Sequence, residues 1–157
     1  MATIKVIDVL NNAKIILQDS GAVRYANASL LKFFNDGQRE VVLHRPDANV
    51  AAATFACANG SKQALPAAAL RLINVIRNTS GRAVSPVDRS MLDQNLPNWH
   101  EKIAGVAGIE HFVYEATDPK NFYVFPKAVS GTHSLEIVYS TIPTDIAIKR
   151  NHCDWVR

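Results

Sequence analysis

The sequence contains few of the residues that build disulfide or metal frameworks. Only two cysteines occur among the 157 residues, Cys57 and Cys153, and they are far apart, with no CxxC pair. Such sparse thiols argue against a disulfide framework and against a zinc knuckle as the basis of the fold. We expect both cysteines to be plain thiols, and we expect no metal and no cofactor.

Long apolar runs are lacking as well. No apolar segment approaches the roughly 18 residues that a membrane-spanning helix needs. The opening residues Met1–Lys5 lack the basic run and the apolar stretch of a secretory signal. We therefore expect a protein made in a cytoplasm and without a membrane partner.

Sequence motifs for common catalytic chemistry are missing. There is no G-x-S-x-G, no P-loop, no G-x-G-x-x-G and no H-E-x-x-H, so the familiar hydrolase, phosphate and hydride signatures are absent. The five histidines form no i, i+4 pair, and only the trio His152-Cys153-Asp154 is compact enough to merit a test with zinc. The prediction is that the chain is not an enzyme and has no catalytic residues.

The composition that remains is that of an ordinary globular protein. Hydrophobic residues make up 48% and charged residues 20% of a chain that fits one domain length. The net charge is +3, and residues 1–80 carry the basic excess. Arg71, Arg77 and Arg82 leave open a small basic nucleic-acid-binding module, although readers of DNA usually carry denser clusters.

Helical spacing of apolar residues predicts four helices. Thr3, Asn27 and Asp88 are suitable caps, and Pro66 suits a first helical turn. In the third helix, Leu70, Ile73 and Ile76 recur at intervals of three. The predicted helices run from Thr3 to about Ser20, from Asn27 or Ser29 to Pro46, from Pro66 to about Asn78, and from Asp88 toward Pro97.

Alternating and turn-forming segments predict strands. Asn59-Gly60 favours a hairpin between residues 51 and 65, and three further strands are expected at 111–116, 121–126 and 134–141. The predicted fold class is α+β: an N-terminal helical bundle with a β-hairpin, a C-terminal small antiparallel sheet and an extended C-terminal tail. The expected divisions are 1–104, with the hairpin near 54–65, then 109–142, then an arm at 143–157, all in one structural unit.

One segment carries a family resemblance. The run from Leu30 to Ala48, LLKFFNDGQREVVLHRPDA, resembles the signature helix of the head-to-tail adaptor, or connector, proteins of tailed phages, of the podovirus type. The resemblance continues through Ala64–Pro66, Val87–Arg89, Pro97–His100 and Tyr114–Pro126. It covers most of residues 1–142, and the polar tail after Ile142 departs from the family pattern.

The resemblance implies a structural virion protein at the head-tail junction. Such adaptors form a ring of about twelve copies beneath the portal and continue the channel through which DNA is ejected. The implied partners are the portal protein, the tail nozzle or other tail proteins, further copies of the chain, and genomic DNA that passes without sequence-specific binding. The protein would be synthesised in the host cytoplasm.

Several residues are predicted to lie at assembly interfaces. Two arginines at the end of the second helix are expected in ion pairs within the subunit or between subunits. Aromatic residues of the predicted strands, and basic and aromatic residues of the tail, are candidates for contact with the portal or tail. The set comprises Arg39, Arg45, Tyr114, Phe122, Tyr123, Phe125, Lys149, Arg150 and Trp155.

Overall fold

The computed structural model describes residues 4–105 and 108–147, and it confirms the α+β class. By contacts the chain forms two compact units, the first containing the first two helices and the segment that begins at Pro143, the second spanning Arg45–Ile142. In chain order the elements are α1 (Val6–Ile16), α2 (Asn27–His44), β1 (Val50–Ala56), β2 (Gly60–Ala64), β3 (Ala69–Asn78), β4 (Ser85–Pro86), α3 (Arg89–Asn95), β5 (His111–Val113), β6 (Asn121–Ala128) and β7 (Ser134–Thr141).

The first unit is built on the apolar faces of α1 and α2. Leu10 of α1 and Leu30 and Leu31 of α2 are buried together with Ile146. α1 ends at Ile16, earlier than the predicted Ser20. The reason is local, because Gln18 has φ 55°, a left-handed conformation that cannot continue a right-handed helix.

A carboxylate holds the turn that follows α1. Asp19 accepts hydrogen bonds from the backbone N–H groups of Val23, Arg24 and Tyr25 at 2.9, 2.9 and 2.7 Å. These bonds hold the pKa of Asp19 below its ordinary value because they favour the charged form, and the bond from Tyr25 has the largest effect. The turn thus leads the chain into α2 through side-chain rather than helical hydrogen bonds.

The second unit contains two sheets around a shared core. Sheet A has the strand order β1-β7-β3 and is antiparallel. Sheet B has the order β2-β6-β5-β4, in which only the β4–β5 pair is parallel. Leu72, Ile137 and Phe122 are among the buried residues that both sheets contribute. Cys57 lies in the same core, and burial raises the pKa of its thiol to about 12, which suits an inert thiol.

The predicted third helix is wrong, because its residues form the strand β3. The pairing of β3 with β7 has register shifts between residues 69 and 71, 72 and 74, and 75 and 77. Each bulge adds a residue to β3, so burial recurs every third position, at Ala69, Leu72, Val75 and Asn78. That period imitates a helix. Ile73, assigned to the apolar helix face, is partly exposed instead.

The predicted hairpin is also wrong in its pairing, although both of its strands form. Gly60 has φ 119°, so the chain does turn there. However, β1 pairs with β7 and β2 pairs with β6. β7 likewise joins β1 and β3 instead of extending the sheet of β5 and β6.

Other local predictions are confirmed. The helix α3 begins after Asp88, whose side chain accepts a hydrogen bond from the N–H of Ser90 at 2.8 Å. Strands form at Asn121–Ala128 and Ser134–Thr141, and the strand predicted at 111–116 ends at Val113. The helical part of the chain is smaller than predicted because residues 69–78 belong to a sheet.

Asn78 joins the end of β3 to the segment before β5. Its side chain is buried and donates to the carbonyls of Arg82 and Ile109 at 3.1 and 2.7 Å, and it accepts from the N–H of Ile109 at 2.9 Å. A Cβ added at Gly108 would lie 2.8 Å from Oδ1 of Asn78, and Gly108 has φ +82°. A glycine is therefore needed for this backbone to approach the asparagine.

We predict that Asn78→Ala lowers the free energy of unfolding by about 3 kcal/mol, since it leaves buried backbone groups of Ile109 without partners. Asn74→Ala is the matched control, because Asn74 is exposed on the same strand, and it should change the value by no more than about 0.5 kcal/mol. Urea unfolding followed by circular dichroism measures both. Equal effects of the two substitutions would contradict the role given to Asn78.

Candidate assembly interface

Aromatic side chains and cations gather on one face of sheet B. We call Arg89, Trp99, His100, Tyr123 and Phe125 the aromatic cluster. The indole of Trp99 is buried, stacks on His100 at 3.6 Å between ring centroids, and contacts Tyr123 and Phe125 edge to face at 6.2 and 6.4 Å. Arg89 lies over the ring of Tyr123 at 6.0 Å. The cluster presents Arg89 and His100 to solvent above an apolar base.

Hydrogen bonds fix the cluster from several elements. Nε1 of Trp99 donates to Asp93 of α3 at 2.8 Å, and a ring nitrogen of His100 lies 2.8 Å from the hydroxyl of Ser61 on β2. Trp99 and His100 are therefore oriented by hydrogen-bond partners within the chain, and such preorganisation lowers the cost of binding a protein.

Arg89 links the cluster to two carboxylates. It lies 3.3 Å from Asp93, one turn along α3, and 3.2 Å from Glu115, which follows β5. The hydrogen bond to Glu115 raises the pKa of Arg89 above its ordinary value, because that bond favours the charged form. A fixed cation beside an aromatic ring is typical of interface hot spots.

The four aromatic interface candidates that lie in the described residues occupy different environments. Phe122 is fully buried and packs on Phe55 of sheet A, and Phe125 is 4% exposed. Their side chains therefore support the sheet from inside and are not surface groups. Tyr123 and Tyr114 are half-buried and reach the surface. Burial also raises the pKa of Tyr114.

Arg39 lies in a second arrangement, within the first unit. Its guanidinium donates to Asp36 at 2.9 Å and to both carboxylate oxygens of Asp145 at 2.6 Å. One turn earlier on α2, the amide of Asn35 donates to the carbonyl of Ile146 and accepts from its N–H, at 3.0 and 3.1 Å. We call this set the α2 clamp. It fixes the segment after Pro143 through its backbone, a carboxylate and one buried isoleucine.

The remaining candidates are surface or tail residues. Arg45 is exposed and pairs with Asp47 at 3.2 Å. Lys149, Arg150 and Trp155 lie outside the described residues, as does the trio His152-Cys153-Asp154, so these predictions stay predictions. Within residues 4–105 and 108–147, no group of three metal-ligating side chains is close enough to hold an ion.

The arginines considered for nucleic-acid binding do not form a basic patch of free charges. Arg77 lies 2.6 Å from Glu136 and Arg82 lies 3.2 Å from Glu110. Only Arg71 of the three has no ion pair in the described part of the chain. Each neighbouring carboxylate cancels the charge that a phosphate would bind.

Sequence reasoning missed three residues that organise these surfaces. Trp99 follows α3 in a segment with no periodic pattern, and its role depends on strands far along the chain. Arg89 lies in the Val87–Arg89 segment of the resemblance, but that segment does not indicate its contact with Tyr123. Asn35 did leave a signal, because it is a polar residue on the buried face of an amphipathic helix, and a buried amide requires hydrogen-bond partners.

The fold and these surfaces define a small α+β protein with an ordered aromatic cluster on sheet B and a clamped segment after Pro143. No helix in the described residues is long and apolar enough to cross a membrane. The chain matches the family model of the SU10 adaptor protein over residues 4–156. It therefore belongs to the SU10 adaptor protein family, whose members are structural adaptor proteins of phages.

Membership implies that the chain is a structural component of a virion rather than an enzyme, and that it associates with portal and tail proteins. The comparison thus supports the adaptor resemblance seen in the sequence. A search among curated proteins finds no match.

We predict that Asn35→Ala releases the segment held by the α2 clamp. The N–H of Ile146 loses its acceptor, so its hydrogen exchange should become roughly 30-fold faster, as for a loss of about 2 kcal/mol. Arg39→Ala removes two exposed ion pairs, to Asp36 and Asp145, and should accelerate this exchange less than about fivefold. Amide hydrogen exchange measured by NMR compares the two variants. Unchanged exchange at Ile146 in the Asn35 variant would contradict the clamp.

Proposed function

We propose that the chain is the head-to-tail adaptor of a podovirus-type virion. In this proposal, copies form a ring beneath the portal, join it to the tail and continue the channel through which DNA leaves the head. The observation that carries the proposal is the family match over residues 4–156. It spans both compact units, so the whole described chain is available for the adaptor role.

The aromatic cluster supports a role in binding the portal or tail. Tyrosine, tryptophan and arginine dominate the energetics of protein interfaces because they bury large areas and offer directed hydrogen bonds. Arg89 and Tyr123 present these groups at the surface, with Trp99 buried behind them. We propose that the contact is centred on Tyr123, whereas Tyr114 packs against the core between the two sheets.

Exposed apolar side chains on the two helices support contacts between copies. Phe33 and Leu43 of α2 are 68% and 66% exposed, and Ile15 and Ile16 at the end of α1 are 68% and 83% exposed. Large apolar side chains left exposed on a helix are available for burial against another copy. We propose that α1 and α2, together with Arg39 and Arg45, face neighbouring subunits in the ring.

The charge distribution suits a protein beside a DNA channel better than a nucleic-acid-binding module. Lysine and arginine on an open surface bind phosphates and retard DNA. Here Arg77 and Arg82 are neutralised by Glu136 and Glu110. A surface of paired charges can lie near DNA without holding it.

We predict that the purified chain co-sediments with its cognate portal in a fixed ratio over a range of salt concentrations. Tyr123→Ala and Arg89→Ala should each weaken this binding about tenfold or more, as expected for interface hot spots. Arg77→Ala is the matched control, since it also removes an arginine paired with a glutamate, and it should leave the affinity within about twofold. Absence of any portal complex would contradict the proposed function.

We also predict weak binding to nucleic acid. Titration against duplex and single-stranded DNA at physiological salt should show dissociation constants no tighter than about 10 µM, in the range of non-specific binding. Tight, strongly salt-dependent binding that Arg71→Ala abolishes would instead favour the nucleic-acid-binding module. The DNA titration and the portal co-sedimentation should use the same preparation of the wild-type chain.

A further inference from the structure

The described part of the chain has two sheets and so four sheet edges, and one of these differs from the other three. The edge strand β3 is interrupted by three register shifts, β2 has a register shift and carries Lys62, and β4 is two residues long and contains Pro86. Bulges, lysine, proline and shortness are the devices that keep an edge from pairing with another chain. β1 has none of them. Its seven residues pair with β7 in unbroken register and include no charge.

The hydrogen bonds of β1 show which of its backbone groups point outward. Just beyond its two ends, Cys57 donates to the carbonyl of His133 at 3.1 Å, and Thr141 donates to the carbonyl of Asn49 at 3.0 Å. Odd-numbered residues therefore bond to β7. In an antiparallel strand the alternate residues point their N–H and C=O groups the other way.

The outward groups belong to the even-numbered residues of β1. Within the described ranges, their N–H and C=O groups make no hydrogen bond to another part of the chain, and β1 is the terminal strand of its sheet. An extended strand could therefore bond to all of them in turn. The outward-facing residues are Val50, Ala52, Thr54 and Ala56.

We propose that this edge pairs with β1 of a second copy, antiparallel, about a twofold axis at Ala53. On one face of the strand, Phe55 of each copy then lies opposite Ala51 of the other. On the opposite face, Thr54 lies opposite Ala52, and in the same register Val50 lies opposite Ala56. Every larger side chain is thus matched with an alanine, and no charge opposes another.

The same register satisfies the backbone. Because even-numbered residues lie opposite even-numbered residues, each outward N–H and C=O meets a partner across the axis. Ala53 meets its own copy as a pair without hydrogen bonds. The two three-stranded sheets become one six-stranded antiparallel sheet, and the open edge of each copy is closed. A shift by one residue would lose both the backbone bonding and the matching of large with small side chains.

This dimer is separate from the proposed ring. A twofold contact closes on itself, whereas a ring needs a head-to-tail contact between unlike surfaces. The inference therefore concerns the free chain before assembly, and it does not rest on the proposed function. Portal binding and self-association are measured on different samples, so either result can fail without the other.

Sedimentation equilibrium of the free chain tests the pairing. The wild type should have twice the chain mass of 17.2 kDa, with dissociation on dilution. Ala52→Lys with Thr54→Lys puts like charges opposite each other and should weaken the dimer about tenfold or more. Ala52→Glu with Thr54→Lys is the matched control, because opposite charges then face each other, and its dimer should be within about threefold of wild type.

A cysteine scan tests the register. In a Cys153→Ala background, Ala53→Cys should form a disulfide-linked dimer under mild oxidation, since directly opposed residues lie about 4.5 Å apart between Cα atoms, within disulfide reach. Ala51→Cys should not, because residue 51 lies opposite residue 55. Circular dichroism checks that every variant is folded.

A wild type that stays monomeric at all accessible concentrations overturns the proposal. Equal dimer affinity in the two charge variants, or equal cross-linking at positions 51 and 53, overturns it as well.

Discussion

The structure of the second unit depends on the pairing of β7 with two strands that precede it by more than fifty residues. β7 lies between β1 and β3, and its Leu135 and Ile137 are completely buried. Neither β1 nor β3 has another strand of sheet A to bond with, so sheet A cannot form without β7. The chain then continues from Thr141 toward the α2 clamp, where Asn35 holds Ile146. β7 therefore completes sheet A, and the segment that follows it in the chain contributes Ile146 to the core of the first unit.

Locally determined features could be predicted from the sequence, and features determined by distant partners could not. The cap at Asp88 and the helix α2 depend on residues within a few positions, and both are present. β3 depends on β7, whose irregular register gives β3 a burial period of three. A spacing of three is also what a helix shows, so the sequence of β3 alone cannot separate the two structures. The hairpin prediction was wrong for the same reason. The turn at Gly60 is determined by local residues, whereas the pairing of β1 and β2 is determined by the distant strands β7 and β6.

The candidate interface follows the same division. Arg39 was expected in an ion pair, but its main partner Asp145 lies 106 positions away, beyond any helical spacing. Among the aromatic residues of β6, alternation places Phe122 and Tyr123 on opposite faces, yet it does not say which face is covered. Phe122 lies in the core between the sheets. Trp99 covers part of the other face, and no sequence pattern around Trp99 predicts this contact.

An assembly protein must keep some surfaces free to bind a partner. An unpaired edge strand is a surface of this kind that can also pair with the wrong chain and cause aggregation. Within residues 4–105 and 108–147, three sheet edges are blunted by bulges, a lysine or a proline, which removes the risk of uncontrolled association. β1 cannot be protected in this way without losing its ability to pair. The order of alanines and larger side chains along β1 restricts that ability, since few strands present the complementary order in antiparallel register. The sequence of β1 itself is complementary in this sense, and a twofold contact uses up both edges at once, so association stops at two copies instead of growing into a fibre.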